Sequence, residues 1–516
     1  MKLYRGFATV GSITILSRVL GFVRDVLIAA VLGTSYVADA FFVAFRVPNM
    51  FRRLFAEGAF DAAFIPLFAK RLHGEGPSAA QDFAGQALAG LTLVLVVFTV
   101  LAEIAMPWLM LLLAPGFASD PGKFDLAVML ARIALPYLVF MSLVALYSGV
   151  LNALGRFAIA ALAPTLLNVV LIIVLLALVA FRSSQTTAGI ALAWAITASG
   201  VSQVIVVALA AARIMRVSIE RPRLTPVMRR LMTLSAPGVI AGGMAQLTMV
   251  ISTIIATLQD RVVSWLYYAD RIFQLPLGVI GVAIGVVLLP DLSHKLRSGD
   301  HDAVLASENR ALEFALLLTM PAAIALFIAS GPIMRVLFER GAFTAADTQA
   351  TAAMLSALAL GLPAYVMIKV LHPSYFARED TKTPMIYAGV AMASTAILSF
   401  GLFLAVGATG IAIASMLSGW INVGLLIATL KRREGFRPDQ TFRRRFAGIC
   451  TASAVMGAVV FTLVKLLDPW FAPASGLPTQ AAALITLVGI GLLVYLGTAE
   501  LLGAAKIKNI IKEIGA

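Results

Sequence analysis

The sequence predicts an all-α polytopic membrane protein of about 14 transmembrane helices, arranged as two six-helix lobes around a central cavity plus a C-terminal helix pair. Three observations predict it. Of the 516 residues, 60% are hydrophobic and only 13% are charged, and the mean hydropathy is +0.95, far from the balance of a soluble domain. Apolar runs of about twenty residues recur between short polar breaks, the length a helix needs to cross the hydrocarbon core and about twice what a barrel strand needs. Landmarks of the first half return in order in the second, at an offset of roughly 220 to 230 residues, as in a duplicated unit.

The first run lies near 7–33 and includes "SRVLGFVRDVLIAAVLG", Ser17 to Gly33, so Arg18, Arg24 and Asp25 sit inside a stretch of spanning length. No small-residue cleavage site follows it, and it reads as a retained first span, not a removed signal peptide. The second run, near 36–68, is the most heavily charged. Spans near 82–113, 124–153, 158–181 and 188–212 complete one set of six. A second set follows near 230–258, 262–291, 304–330, 348–372, 384–405 and 408–430, and 446–467 with 479–503 stand outside the repeat. Gly21, Pro48, Pro66, Pro136, Pro164, Pro276 and Pro363 fall inside or at the ends of spans, where kinks act as hinges.

The net charge of +14 falls on alternate connections. One side collects Lys70, Arg71, Arg156, the run 213–230, Lys295, Arg297, Arg378, Lys382, the run 431–445 and the basic residues of both termini; the other has little beyond Lys123, Arg182, Arg261, Arg335, Arg340 and Lys465. This is a topology signal rather than a nucleic-acid footprint, and it places both termini of a multi-pass membrane protein in the cytoplasm. A share of the basic excess attracts anionic lipid head groups. Every connection is under roughly twenty residues, too short for a folded extramembrane domain. Cys450 is the only cysteine, which excludes an internal disulfide, and the four histidines do not cluster with acids, so no metal ligand set is expected.

The repeat rests on four paired landmarks. "ADAFFVAFRVP" from Ala38 and "FIPLFAKRL" from Phe64 are echoed by "ADRIFQLPLG" from Ala269 and "LLPDLSHKL" from Leu288; "LPYLVF" from Leu135 and Pro164 are echoed by "LPAYVM" from Leu362 and Pro384. The expected division is 1–225, 226–436 and 437–516. Two six-span lobes share one orientation, with the pseudo-symmetry axis along the membrane normal, the layout of an alternating-access transporter.

An ionised side chain at the bilayer centre costs about 2.5 to 3.5 kcal/mol on the insertion scale, so the charges of the first two spans must face water or one another. Asp39, Arg46 and Arg53 recur every seven residues, and Glu57 and Asp61 follow at steps of four, which lines all five along one stripe with Asn49 at its edge. Arg18 and Asp25 share a face of the first span, with Arg24 to the side. Arg53 with Glu57 and Arg46 with Asp39 read as structural pairs. Arg18, Arg24, Arg52 and Arg271 outnumber Asp25 and Asp270, and surplus guanidinium groups call for an anion, which points to a phosphate or diphosphate.

The stretches "SRVLGFVRDVLIAAVLG", "ADAFFVAFRVPNMFRRLFAEGAFDAAFIP", "APGF" at Ala114, "APTLLN" at Ala163, "SWLYYADRIFQLPLGVIGVAIGVVLLP" and "GPIMRVLFERGAFT" together resemble the MurJ (MviN) family of lipid II flippases, of the same superfamily as the MATE multidrug exporters. The resemblance runs over essentially the whole chain. It implies a cationic cavity between two lobes, a final helix pair forming a groove for the polyprenyl tail, and movement of undecaprenyl-diphosphate-linked peptidoglycan precursor from the cytoplasmic to the periplasmic leaflet. It implies substrate-binding roles for Arg18, Arg24, Arg52, Arg271, Asp25, Ser17 and Asn49, and gating roles for Asp39, Glu57 and Arg53. Some relatives bind sodium on the spans matching 230–258, 384–405 and 408–430; here those spans hold no Asp or Glu, so no cofactor is expected, and an ion gradient or the membrane potential is left as the energy source. The implied partners are lipid II, membrane phospholipids and the cell-wall synthesis machinery, for a monomer that is not an enzyme. The alternative is an exporter of the same superfamily acting on another polyprenyl-diphosphate oligosaccharide or on drugs; a drug exporter predicts an acidic cavity, and this one is basic. A membrane enzyme would need a catalytic carboxylate near the bilayer surface, with a metal site or a sizeable loop.

Overall fold

The computed structural model describes residues 2–55, 59–215, 217, 221–222, 225–298 and 300–504, without the side chains of 2–8, 53–55, 59, 61–62, 236–245, 248 and 279–287. All regular structure among them is helical. The chain divides into two compact units, 1–264 with 340–343, and 265–339 with 344–516.

Unit 1 contains α1 (Lys2–Leu32), α2 (Tyr36–Phe55), α3 (Ala59–Gly74), α4 (Pro77–Ile104), α5 (Met106–Leu113), α6 (Pro121–Ala134), α7 (Tyr137–Ala153), α8 (Phe157–Ala180), α9 (Gln185–Ala212) and α10 (Pro226–Ala256). Within it α1 packs on α8, α8 and α7 on α9, and α2 on α6. Its aromatic core stacks Phe64 between Phe60 and Phe68 at 5.2 and 5.7 Å and against Phe83 at 5.4 Å. Rings four residues apart share one helix face, and such stacked pairs add to the area they bury.

α11 (Val262–Arg297) begins at the boundary. Unit 2 continues with α12 (His301–Ile328), α13 (Ser330–Phe338), α14 (Ala345–Ala359), α15 (Leu362–Phe376), α16 (Lys382–Val406), α17 (Thr409–Glu434), α18 (Gln440–Leu466), α19 (Asp468–Phe471) and α20 (Gly476–Leu501). α16 packs on α17, and the late pair α18 and α20 packs together and onto α12. Small residues let these helices approach: a Cβ on Gly457 would stand 2.8 Å from Ile324, and one on Gly491 would stand 3.0 Å from Val460. Tyr495 Oη donates to the Leu317 carbonyl at 2.6 Å, so the hydroxyl is satisfied inside the apolar contact.

Among the described residues, ten helical segments are long and apolar enough to span a membrane. The four other expected spans coincide with α1, with α2 and α3, with α10 and with α11. α1 holds Arg18, Arg24 and Asp25 and α2 holds Asp39, Arg46, Arg52 and Arg53, which removes them from a count of uniformly apolar helices. The duplicated landmarks recur as duplicated shapes. A long helix is followed by a short one in α4–α5 and again in α12–α13, and "LPYLVF" and "LPAYVM" mark the breaks in α6–α7 and α14–α15. The packing boundary falls at Ser264, one span beyond residue 225, because α10 packs on α3, α2, α5 and α4.

Candidate functional site

Two buried polar clusters organise unit 1. The first joins α1 to α8. Arg24 and Asp25 are 6% and 2% exposed. Arg24 Nε and Nη2 donate to Asp25 Oδ1 at 3.0 and 2.7 Å, and Nη1 donates to Asn168 Oδ1 at 2.9 Å. Asn168 Nδ2 in turn donates to the Ser17 carbonyl at 3.0 Å. The guanidinium plane is thereby held from two helices, and the pairing avoids an uncompensated buried charge, which would cost several kcal/mol.

The second cluster forms where the connections after α1, α5 and α10 meet. Asp120 caps α6 by accepting from Gly122 N and Lys123 N, with Pro121 at the first helical position. Lys123, at the start of that helix, is 2% exposed. Its ammonium lies 4.3 Å from the centre of the Phe117 ring and donates to Asp39 Oδ2 at 2.9 Å and to Asp260 Oδ1 at 2.7 Å. A cation in a first helical turn opposes the helix dipole; here the two carboxylates offset it. Asp39, 0% exposed in the first turn of α2, also accepts from Arg261 N at 2.8 Å and from Ser264 N and Oγ at 3.1 and 2.6 Å. Arg261 reaches Asp39 with φ at 70°, a left-handed conformation that costs a non-glycine residue about 1 kcal/mol.

Backbone-to-backbone packing tightens the same end. Ala342 N donates to the Ala30 carbonyl at 2.8 Å. Gly33 and Gly341 have φ of 60° and 58°, and a Cβ on either would stand 2.3 and 2.2 Å from the Ala342 and Ala30 carbonyl oxygens. Gly116 approaches Thr257 as closely, with a Cβ position 2.1 Å from its carbonyl oxygen. Only glycine fits such approaches.

The remaining sequence candidates disperse. Arg46, expected to pair with Asp39, instead donates to Thr253 Oγ1 of α10. Seven residues along one helix are about 10 Å apart, so the neighbouring elements reach Asp39 first. Arg18 is exposed while Asp25 is buried, so the two do not share an environment. Arg52 Nε donates to Asn49 Oδ1 at 3.3 Å, and Asn49 Nδ2 donates to the Phe45 carbonyl at 2.9 Å. Arg271, in unit 2, donates to Tyr267 Oη at 3.0 Å with its guanidinium 4.9 Å from the ring centre. Asp270 accepts from Gln274. Ser17 contributes its carbonyl. Glu57 and the Arg53 side chain lie outside the described residues. Lys123, Asp260, Ser264 and Asn168 were not among the expected site residues. A lysine on the cation-poor side, three residues after an Asp-Pro helix start, was the available signal for the first; a lone amide in an apolar span was the signal for the last. Among the described residues no group of His, Cys, Asp and Glu could hold a metal ion.

A family profile described as "Lipid II flippase MurJ" matches residues 28–481. The chain is 44% identical over 516 residues to the probable lipid II flippase MurJ of Rhizobium tropici, covering 100% of this chain and 97% of that one. It is 34% identical over 467 residues to the lipid II flippase MurJ of Burkholderia cenocepacia, covering 89% and 90%. Among solved structures, a lipid II flippase MurJ in an inward closed conformation superposes with a TM-score of 0.76 at 26% identity, covering 98% of this chain and 99% of that one. An inward-facing MATE family multidrug transporter of the MOP superfamily shares the fold, with a TM-score of 0.67 at 14% identity over 83% of this chain and 98% of that one.

Proposed function

This chain belongs to the MurJ family of lipid II flippases, and we propose that it moves lipid II across the bacterial inner membrane by alternating access, with both termini cytoplasmic and without a covalent step. The observation that carries this reading is the concentration of charge in α1 and α2, two helices of 31 and 20 residues, long enough at about 1.5 Å per residue to cross the hydrocarbon core. Charge in excess of what structural pairs hold marks a polar pathway when it lies inside a bilayer.

In this reading Arg24 rests on Asp25 as a resident counter-ion. The diphosphate of the incoming lipid exchanges for that carboxylate, so the guanidinium is never buried bare. Asn49 and Ser17 supply further hydrogen-bonding groups, and Arg18, Arg52 and Arg271 are the other members of the clamp, since their planar forks match phosphate oxygens. The lobes 1–225 and 226–436 alternate about this clamp. The polyprenyl tail stays against the pair 437–516, where α18 and α20 offer exposed Val455, Phe461, Ile485, Val488, Leu492 and Leu493.

Asp39 and Lys123 form the periplasmic latch in the same scheme, since their cluster gathers the cation-poor connections. Glu57 and Arg53 act at the opposite gate. The protein works as a monomer alongside the cell-wall synthesis machinery. The clamp is tested by Arg24→Lys and Arg271→Lys in reconstituted vesicles: both keep the charge and lose the fork, and each should slow flipping at least tenfold, an effect of about 1.4 kcal/mol on the barrier. Flipping at the full rate by both variants would contradict bidentate recognition.

A further inference from the structure

The connection between α17 and α18 carries more positive charge than the protein uses. Residues 431–445 hold Lys431, Arg432, Arg433, Arg437, Arg443, Arg444 and Arg445 against two acids, Glu434 and Asp439. Arginines from elsewhere in unit 2 bind both acids: Arg378 Nε donates to Glu434 at 2.9 Å, and Arg310 Nη2 donates to Asp439 at 2.7 Å. Arg433 faces Asp380 at 3.4 Å and Arg445 donates to Glu313 at 2.5 Å. Lys431, Arg432, Arg437, Arg443 and Arg444 are exposed, and among the described residues their side chains have no hydrogen-bonding or ion-pair partner.

These cations sit on a fixed backbone. Gly435 ends α17 with φ at 66° and Phe436 is buried. One buried amide, Asn309, pins the next residues from both sides, donating to the Arg437 carbonyl at 3.1 Å and accepting from Asp439 N at 3.3 Å. Asp439 then caps α18. The positive-inside tendency accounts for basic residues here, and the dipole at the end of α17 favours Lys431 and Arg432. The dipole does not account for Arg443 and Arg444 near the start of α18, where it disfavours cations. Beside them Phe442 and Phe446 stack with ring centres 5.9 Å apart, and Phe446 is 38% exposed at the head of a spanning helix, the position of an aromatic side chain at head-group depth.

We propose that Arg437, Arg443 and Arg444, with Lys431 and Arg432, form a preorganised docking site for the phosphate groups of anionic phospholipids. The fixed backbone lowers the ordering cost of binding, and the unpartnered guanidinium groups favour a phosphodiester whose charge no choline cation in the same head group offsets.

The test is lipid binding to the full-length protein in detergent, titrated with phosphatidylglycerol and with phosphatidylcholine and read by native mass spectrometry. Arg437→Gln/Arg443→Gln/Arg444→Gln should weaken phosphatidylglycerol binding more than tenfold and leave phosphatidylcholine unchanged, since each cation near an anionic surface is worth about fivefold. Arg182→Gln, an exposed cation between α8 and α9, should change neither. If the triple variant fails to fold, Arg443→Gln and Arg444→Gln singly decide, each expected about fivefold weaker. Unchanged phosphatidylglycerol binding in the variants would overturn the proposal, as would equal binding of the two lipids to the wild type. Displacement of phosphatidylglycerol by inorganic phosphate at equal concentration would replace it with a site for soluble anions.

Discussion

Replacing Lys123 by methionine leaves Asp39 at 0% exposure with three neutral donors, Arg261 N, Ser264 N and Ser264 Oγ, and no cation among those that bind it. Removing one partner of a buried pair costs about 3 to 5 kcal/mol, because the remaining charge stays desolvated. Methionine keeps the contact with Phe117, so most of that cost is electrostatic. Asp260 is 82% exposed, so its bond to Lys123 contributes about 0 to 1 kcal/mol, and Asp260→Asn should be nearly silent. Asp39→Asn in the Lys123→Met background removes the stranded charge while keeping an acceptor. The double variant should therefore be more stable than the sum of the two single losses by about 2 kcal/mol or more, within the range of directly coupled residues. The assay is a double-mutant cycle of reversible unfolding in mixed micelles. Additive losses within about 0.5 kcal/mol would refute the claim that Lys123 and Asp39 are energetically one unit.

Gly33→Ala and Gly341→Ala should each break the Ala342–Ala30 backbone contact, since a Cβ would stand 2.3 and 2.2 Å from carbonyl oxygens and φ is positive at both; a loss of about 1 to 3 kcal/mol is expected by thermal unfolding. The bonds from Thr383, side chain then backbone, hold the Asp380 carboxyl below its ordinary value of 3.8. Burial raises the Asp439 carboxyl, but the Phe442 amide and Arg310 outweigh it and hold this group low as well. A depressed carboxyl stabilises the fold fully above its ordinary value and loses that contribution as the pH falls through the folded value. Acid unfolding should thus steepen below about pH 4, and Asp380→Asn/Asp439→Asn should flatten that limb because the variant already lacks the same contribution at neutral pH, where it should be the less stable protein. Asn168→Leu should free the Arg24 guanidinium from α8 and slow flipping, with Asn168→Gln recovering part of the rate in the same vesicle assay.

The sequence made the membrane class legible because apolar composition and run length are properties of the chain alone. The repeat was equally readable, since Leu135–Pro136 and Leu362–Pro363 impose the same local break in two places. Arg24, Asp25 and Asp39 were identifiable as buried charges because each interrupts an apolar run. Their partners were not. Periodicity along α2 paired Asp39 with Arg46, whereas the contact is made by Lys123, 84 residues away in sequence, and by backbone donors at Arg261 and Ser264. Register along one helix states which residues share a face and says nothing of which neighbouring helix meets that face. Asn168 was hidden for the same reason: an isolated amide in an apolar helix becomes interpretable only once α8 lies against α1.

The central claim is transport of a lipid-linked diphosphate, and the most direct measurement places labelled lipid II in the outer leaflet of sealed vesicles containing the purified protein and follows its loss to a membrane-impermeant head-group reagent. The account predicts rapid protection of a fraction set by protein orientation with wild type, and protection near the protein-free rate with Arg24→Ala/Arg52→Ala. Wild-type vesicles that leave the head group as accessible as protein-free vesicles do would contradict it.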